Sequence, residues 1–164
     1  MRTLLSIDPG NNAGGAVFVG GVLQACGLVS RFNGEQGGLR PMLELQRLFG
    51  CNDVRSGFFH ELVIELPRIT KQTEGKDPND LIKLAFGAGR YVERFPHSSL
   101  RTVTPSEWKA GTPKRIHNAR VIQCLTEAER ALIPKLAAGL VHNIVDAIGI
   151  GLEHLGRMTR GAAR

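Results

Sequence analysis

The sequence predicts a single α/β domain, and three observations lead to that prediction. Five short apolar segments have the length and composition of strands, and the first three follow one another directly, as in a meander. Longer segments with helical periodicity alternate with the later strands. The length of 164 residues is enough for one domain with its own core, and neither an internal repeat nor a linker divides it.

Three of the strands are predicted before residue 31. The segment RTLLSID predicts a buried strand, and GGAVFVGGVLQACGLVS predicts two more. Gly20 and Gly21 lie between those two and permit a tight hairpin. Farther along, ELVIELP predicts a central buried strand with Glu65 at its end, and SLRTVTP predicts the fifth strand.

Two helices are predicted around the later strands. The segment LRPMLELQRLFG has apolar residues at near-helical spacing and ends at Gly50. Asp77, Pro78 and Asp80 are typical of a helix start, and that helix should continue through NDLIKLAFGAGRYVERF. Its alanines and glycines would permit close approach of a second subunit or of the domain's own sheet, and both interpretations stay open.

The last third of the chain is predicted to be helical. The segment SEWKAGTPKRIHNARVIQCL passes from a short turn into a helix, and Thr126 and Glu129 have the spacing of a capping box. A long final helix is predicted over GLVHNIVDAIGIGLEHL, because its apolar residues recur on one side. The segment that follows is expected to fray.

The charge balance favours a polyanionic partner. Lysine and arginine number 21 against 15 aspartate and glutamate residues, which gives a net charge of +6 and a pI near 9.7. Nucleic acid is the favoured partner over an acidic membrane, since no basic amphipathic helix stands out. The plainer interpretation, a basic protein without such a partner, also stays open.

Cysteine usage and hydropathy indicate a cytoplasmic protein. Cys26, Cys51 and Cys124 are odd in number and far apart, so they suggest neither a disulfide framework nor a zinc site, and a reducing compartment fits. No apolar stretch has the length of a signal peptide or of the roughly 20 residues that a membrane helix needs.

Three acidic residues lie on or beside otherwise apolar elements. Asp8 follows the first strand, Glu65 ends the fourth, and Asp146 interrupts the apolar side of the last helix. If these elements converge, the carboxylates could hold Mg²⁺ or Mn²⁺, which prefer oxygen ligands. Each also has a plainer explanation: a turn former, a surface residue and the partner of an arginine, respectively.

The order of these motifs resembles one known family. A strand ending in IDPG, a meander, a strand ending in VIE and a late helix with HNIVDAIGIGL are together similar to the RuvC family of Holliday junction resolvases, in the RNase H-like superfamily. The segment TPSEWKAGTPK resembles one in divergent, often phage-encoded members. The resemblance spans the chain from Leu4 to about Leu155 and implies a sheet of three antiparallel and two parallel strands flanked by helices. The domain is predicted to comprise residues 1–157, followed by a flexible tail at 158–164.

The resemblance also implies an activity and a site. The family works as a homodimer that cuts four-way DNA junctions by two symmetric nicks and leaves 5′-phosphate ends. By position, Asp8, Glu65, Asn143 and Asp146 match its catalytic and metal-binding residues, which would hold two Mg²⁺ or Mn²⁺ ions. Asn143 departs from the pattern because an amide brings no negative charge, and neighbouring His142 is a possible ligand or proton donor with a structural role as the alternative.

A second departure concerns the opening of the junction. Some members carry a wedging aromatic residue three positions after the strand glutamate, where this chain has Arg68. Phe58, Phe59 and Tyr91 are substitute candidates, although core packing is the favoured role for all three. The residues predicted to contact DNA phosphates fall in two basic clusters: Arg68, Lys71 and Lys76, and Lys109, Lys114 and Arg115.

The function predicted from the sequence is that of a dimeric, structure-selective DNA endonuclease, and two alternatives stay open. An RNase H-like nuclease that acts on RNA/DNA hybrids would use a similar metal site. A non-catalytic binder of branched DNA would explain Asn143. An actin-like ATPase is disfavoured because it needs two similar domains, and no P-loop motif is present.

Overall fold

The computed structural model describes residues 1–10, 12–31, 58–67, 77–109 and 111–158. The helix predicted to end at Gly50 lies outside these residues, as does the end of the chain from residue 159. The strands are β1 (Thr3–Asp8), β2 (Asn12–Val19), β3 (Val22–Arg31), β4 (Phe59–Glu65) and β5 (His97–Val103). The helices are α1 (Pro78–Arg94), α2 (Pro105–Lys109), α3 (Lys114–Gln123), α4 (Glu127–Ala131) and α5 (Ala138–His154).

The five strands form one mixed sheet in the order β3-β2-β1-β4-β5. β1, β2 and β3 pair antiparallel, whereas β4 pairs parallel with both β1 and β5. The β2–β3 hairpin turns at Gly20 and Gly21, whose φ angles of 58° and 83° suit glycine. The predicted meander and the mixed five-stranded α/β fold are therefore confirmed.

Alternation along the central strands divides the core between the two faces of the sheet. Leu5 and Ile7 of β1 point to a cluster that contains Tyr91 of α1. Leu4 of β1 points to the other cluster, which contains Ile148 of α5. Because side chains alternate along a strand, Ser6 and Asp8 share the α5 face with Leu4.

Helix α5 packs closely on this face because small residues let the backbones approach. A Cβ atom on Gly14 of β2 would lie 2.0 Å from the carbonyl oxygen of Asn143, and one on Gly151 would lie 2.2 Å from the ring of Phe18. The buried Ser6 hydroxyl donates a hydrogen bond of 2.7 Å to the carbonyl oxygen of Ala147. The helix is thereby fixed relative to β1 and β2.

The helix caps predicted from the sequence are present in the structure. The Asp77 side chain accepts a hydrogen bond of 2.9 Å from the amide of Asn79 and caps α1. Thr126 and Glu129 form the predicted capping box of α4. Within the described residues, no helix is long and apolar enough to cross a membrane.

An ion pair ties α4 to the residues after α5. Arg157 donates two hydrogen bonds to the carboxylate of Glu129, at 2.6 and 2.8 Å, and others to the carbonyl oxygens of Gly21 and Cys124. The Glu129 carboxylate also accepts the backbone amide of Leu23 at 2.8 Å. We call this group the Arg157 clamp, and it lies beside the β2–β3 hairpin, at the opposite end of β1 from Asp8.

Candidate metal centre

Two of the three predicted acids end adjacent parallel strands. Ile7 of β1 pairs with Ile64 of β4, so the next residues, Asp8 and Glu65, lie side by side at the carboxyl ends of their strands. Alternation puts both on the α5 face of the sheet. The register of the sheet alone therefore brings these two carboxylates to one place.

Helix α5 supplies the third acid. Asp146 is only 3% exposed and precedes Ala147, whose carbonyl oxygen accepts the hydrogen bond from Ser6. Because Ser6 stands two residues before Asp8 on the same strand face, this contact sets the position of Asp146 relative to Asp8. The structure thus brings the three predicted acids to one end of the sheet.

The pKa values of Asp8 and Glu65 reflect the burial of these acids and their closeness to one another. Burial, followed by the negative charges of Glu65 and Asp146, raises the pKa of Asp8 to about 7 against the opposing effect of Lys109 and Lys114. Burial is also the main cause of a raised pKa at Glu65. Lys109 and Lys114 therefore do not fully offset the burial and mutual repulsion that disfavour the ionised form of Asp8.

Three side chains contact the Asp146 carboxylate from α2 and α3. The ammonium groups of Lys109 and Lys114 lie 3.3 and 3.6 Å from Oδ2. With its amide nitrogen turned toward the carboxylate, Asn118 donates to Oδ1 at 3.2 Å. Lysines, and no arginine, are therefore the cationic partners of Asp146 among the described residues.

Glu65 has a neutral partner instead. The indole N–H of Trp108 donates a hydrogen bond of 2.5 Å to Glu65 Oε2. The Trp108 ring is 3% exposed and packs edge-on against His117, with 4.7 Å between ring centroids. Burial lowers the pKa of His117, so the imidazole is neutral at physiological pH.

Asn143 and His142 lie near the same end of α5. The backbone of Asn143 sits against Gly14, and Gly14 is the β2 residue paired with Asp8. Both Asn143 and His142 are partly buried. The structure thus places the Asn143 backbone beside the strand end that carries Asp8.

The predicted DNA-contacting residues are only partly described. Lys109 and Lys114 face Asp146, with side chains 21% and 52% exposed, and Arg115 is exposed. Arg68, Lys71 and Lys76 lie outside the described residues.

The aromatic residues considered for a wedge divide into two groups. Phe59 and Tyr91 are 3% and 5% exposed and pack in the core, as predicted. The prediction of core packing was wrong for Phe58, which is 42% exposed. Phe58 precedes β4 and meets the ring of His60 edge-on, so it lies outside the strand alternation that buries Phe59.

Sequence reasoning missed three residues that support the acids. From the sequence, no role in the site was assigned to Trp108, Asn118 or Ser6. Asn118 had a usable signal, because it stands four residues after Lys114 on one helix and so shares its face.

The donor set can be compared with the needs of a metal ion. Carboxylate and amide oxygens are ligands that Mg²⁺ and Mn²⁺ prefer. In the described part of the chain, no three acidic, histidine or cysteine side chains stand close enough together to form a complete ligand group. The acids are near enough to shift one another's protonation, and Lys109 and Lys114 already engage one of them.

Comparison with solved structures defines the fold. The chain is similar to the Fowlpox virus resolvase, solved with substrate Holliday junction DNA, at 14% identity and a TM-score of 0.55, over 97% of this chain and 100% of that one. Thermus thermophilus RuvC with a Holliday junction substrate also matches, at 14% identity and a TM-score of 0.46, over 94% and 92% of the two chains. A second T. thermophilus RuvC structure matches at 14% identity and a TM-score of 0.49, over 95% and 98%.

The chain therefore shares the fold of the Fowlpox virus resolvase, with the mixed five-stranded sheet flanked by helices that its motifs predicted. No protein-family model and no curated protein sequence matches it.

Proposed function

We propose that this protein is a divalent-metal-dependent endonuclease that resolves four-way DNA junctions. The observation that carries the proposal is the convergence of Asp8, Glu65 and Asp146 on a RuvC-like fold, at the positions that the sequence resemblance assigns to the catalytic acids. The fold alone would suit many functions. A crowded group of carboxylates is costly for a protein that only binds a phosphate backbone, which favours catalysis.

The charge of the site fits a divalent cation. Asp8 has a pKa of about 7 because it is buried near two other acids, and a bound cation would stabilise its ionised form. Asp8, Glu65 and Asp146 would hold the metal, with the Asn143 amide oxygen as a neutral fourth ligand. Binding requires these oxygens to close around the ion and Asp146 to share its carboxylate with the metal.

The acids and the lysines of the site would have different roles in cleavage. Bound Mg²⁺ or Mn²⁺ ions would supply activation of the attacking water and stabilisation of the leaving 3′ oxygen. Asp8 and Glu65 provide rigid oxygen ligands from neighbouring strand ends, and Asp146 provides a third from the docked helix. Lys109 and Lys114 bring positive charge to the point where the scissile phosphate must lie.

DNA would be held through its phosphates around this centre. The net charge of +6 supports such binding. The exposed Arg115 and half-exposed Lys114 extend the positive surface outward from Asp146. Arg68, Lys71 and Lys76 are proposed to add contacts beyond Glu65. A cytoplasmic location, predicted from the sequence, would suit this role.

Two symmetric nicks require two active sites, so we propose a homodimer. The exposed side of α1 is the proposed contact, because Ile82 and Phe86 are 64% and 69% exposed there. A Cβ atom at Gly87 or Gly89 would meet nothing within 4 Å, which leaves room for a second backbone. Residues 1–157 are proposed to form this single nuclease domain.

One residue favours a second candidate function. Asn143 replaces a charged ligand with an amide, which lowers the negative charge available to a second ion. A protein that binds branched DNA and cuts it slowly would show this feature. Its three retained acids argue for the nuclease as the first candidate.

Cleavage of a labelled four-way junction tests the proposal. Duplex, single-stranded and RNA/DNA hybrid substrates of the same sequence serve as controls, each in Mg²⁺ and in Mn²⁺. We expect paired nicks in the junction alone, and their loss in the Asp146→Asn variant. Tight junction binding without cleavage would favour the binder, and preferential hybrid cutting would move the protein to the RNase H side.

A further inference from the structure

The hydrogen bond from Trp108 to Glu65 differs in kind from the other contacts in the candidate centre. The lysine contacts to Asp146 bring positive charge, whereas the indole N–H is a neutral donor with no acceptor capacity. It occupies Glu65 Oε2 and leaves Oε1 without a Trp108 contact. The hydrogen bond therefore orients the carboxylate without adding a positive charge to it.

The Trp108 ring is held rigidly enough to act in this way. It is 3% exposed and rests edge-on against His117. Gly149 of α5 makes room for it, since a Cβ atom there would come within 2.9 Å of Trp108 Cζ3 and of Val121 Cγ2. Asp146 lies one turn earlier on the same helix, so a single stretch of α5 supports both Trp108 and the third acid.

Helix α2 links the two acids directly. Trp108 contacts Glu65 of β4, and the next residue, Lys109, contacts Asp146 of α5. The Lys109 ammonium also lies 4.4 Å from the centre of the Trp108 ring. A shift of the indole would therefore disturb one acid directly and the other through its neighbour.

We propose that Trp108 is a positioning residue that fixes the orientation of Glu65 for a divalent cation, an inference that rests on the proposed function. Hydrogen-bonded partners of metal ligands commonly change metal affinity by about 10- to 100-fold when they are removed. Trp108 would act on metal binding without touching the DNA or the metal.

The test compares Trp108→Phe with the unmutated protein. Phenylalanine keeps an aromatic ring against His117 and removes the N–H donor. Mn²⁺ binding to the DNA-free protein is measured by calorimetry, and Tyr91→Phe serves as the control because it alters a buried aromatic residue in the other core cluster. We expect Trp108→Phe to weaken Mn²⁺ binding by about 10-fold, and junction cleavage to recover toward the unmutated rate at saturating Mn²⁺.

A second readout does not depend on that variant folding. Trp108 is the sole tryptophan of the chain, so the fluorescence of the unmutated protein reports on its surroundings. We expect Mn²⁺ to quench this fluorescence with the same half-saturation as the calorimetric binding, and Glu65→Gln to move both to higher concentration.

The outcomes separate this inference from the proposed function. Equal Mn²⁺ affinity in Trp108→Phe and Tyr91→Phe would overturn the role of Trp108 while leaving the nuclease intact. Mn²⁺ binding that leaves the Trp108 fluorescence unchanged would also overturn the role of Trp108 without affecting the proposed nuclease. If the unmutated protein binds no Mn²⁺ and cuts no junction, the proposed function fails, and the role of Trp108 fails with it.

Discussion

Glu129 and Asp8 are carboxylates at opposite ends of one small sheet, and their surroundings differ in nearly every respect. In the Arg157 clamp, the carboxylate of Glu129 accepts two hydrogen bonds from one guanidinium and two more from the backbone amides of Leu23 and Thr126. Asp8 instead lies near two other acids, and two lysines only partly offset their charge.

The pKa values of Glu129 and Asp8 differ in the way that these surroundings predict. The hydrogen bond from Arg157 is the main reason that the pKa of Glu129 falls to about 2, whereas burial and neighbouring acids bring the pKa of Asp8 to about 7. A carboxylate with all its partners supplied by the chain serves the fold. A carboxylate whose charge is not balanced by neighbouring cationic side chains is suited to binding a metal cation.

The largest expected effect is on cleavage by an Asp8→Asn variant. Loss of one proposed metal ligand should reduce junction cleavage by about 1000-fold or more, since a bound metal can contribute several kcal/mol to transition-state stabilisation. Because the change relieves repulsion among acids, the metal-free variant should be at least as stable as the unmutated protein. Gel-based cleavage rates and urea unfolding check both parts. Normal cleavage by this variant would show that Asp8 has no part in catalysis.

The opposite pattern is expected for Glu129→Gln. Leaving Arg157 without its ionic partner should lower the free energy of unfolding by about 3 kcal/mol. Cleavage per folded molecule should stay close to that of the unmutated protein, because the clamp lies at the far end of β1. Urea unfolding and cleavage at a permissive temperature test this. A selective loss of cleavage in a fully folded variant would contradict a purely structural role.

The two carboxylates should also respond to pH with opposite signs. The pKa of Glu129 is lower in the folded state, so its stabilisation is present above about pH 4.5 and is lost as pH falls toward about 2. The pKa of Asp8 is higher in the folded state, so the folded protein loses stability as pH rises from about 4 to about 7.

Urea unfolding in a metal chelator, across that pH range, measures both responses. Asp8→Asn should gain stability over the unmutated protein as pH rises. The deficit of Glu129→Gln should shrink as pH falls. If the stability difference from the unmutated protein changed with pH in the same direction for both variants, the pKa values of Asp8 and Glu129 would not be shifted in opposite directions.

The smallest expected effect comes from Ser6→Ala. This change removes the buried hydrogen bond to the Ala147 carbonyl oxygen and should cost about 1 kcal/mol of stability. Since that contact positions α5 beside β1, cleavage should fall by less than about 10-fold. A loss as large as that of Asp8→Asn would mean that Ser6 does more than dock the helix.

Much of the fold could be predicted because its signals are local. The paired glycines at the hairpin, the Asp77 cap and the capping box at Thr126 each act within a few residues of the chain. The apolar strand segments and the order of the acidic motifs then indicated a mixed five-stranded sheet. Phe58 was assigned wrongly because burial at a strand end depends on where the strand begins, which the apolar pattern does not define.

The supporting contacts of the site were not predictable in the same way. The Trp108–Glu65 hydrogen bond joins residues 43 positions apart, and it depends on the space that Gly149 leaves on a third element. Single-sequence patterns carry no information about such three-way packing. The acids themselves could be found, since a charged residue on an apolar element is a local anomaly.

The proposal on which the function rests is that the end of the sheet at Asp8 binds a divalent cation, whose charge Lys109 and Lys114 do not replace. Its most direct test is thermal unfolding with and without Mn²⁺ for the unmutated protein, Asp8→Asn and Glu129→Gln. We expect Mn²⁺ to raise the melting temperature of the unmutated protein and of Glu129→Gln, and to leave that of Asp8→Asn unchanged. An equal rise in all three proteins, or none in the unmutated protein, would contradict it.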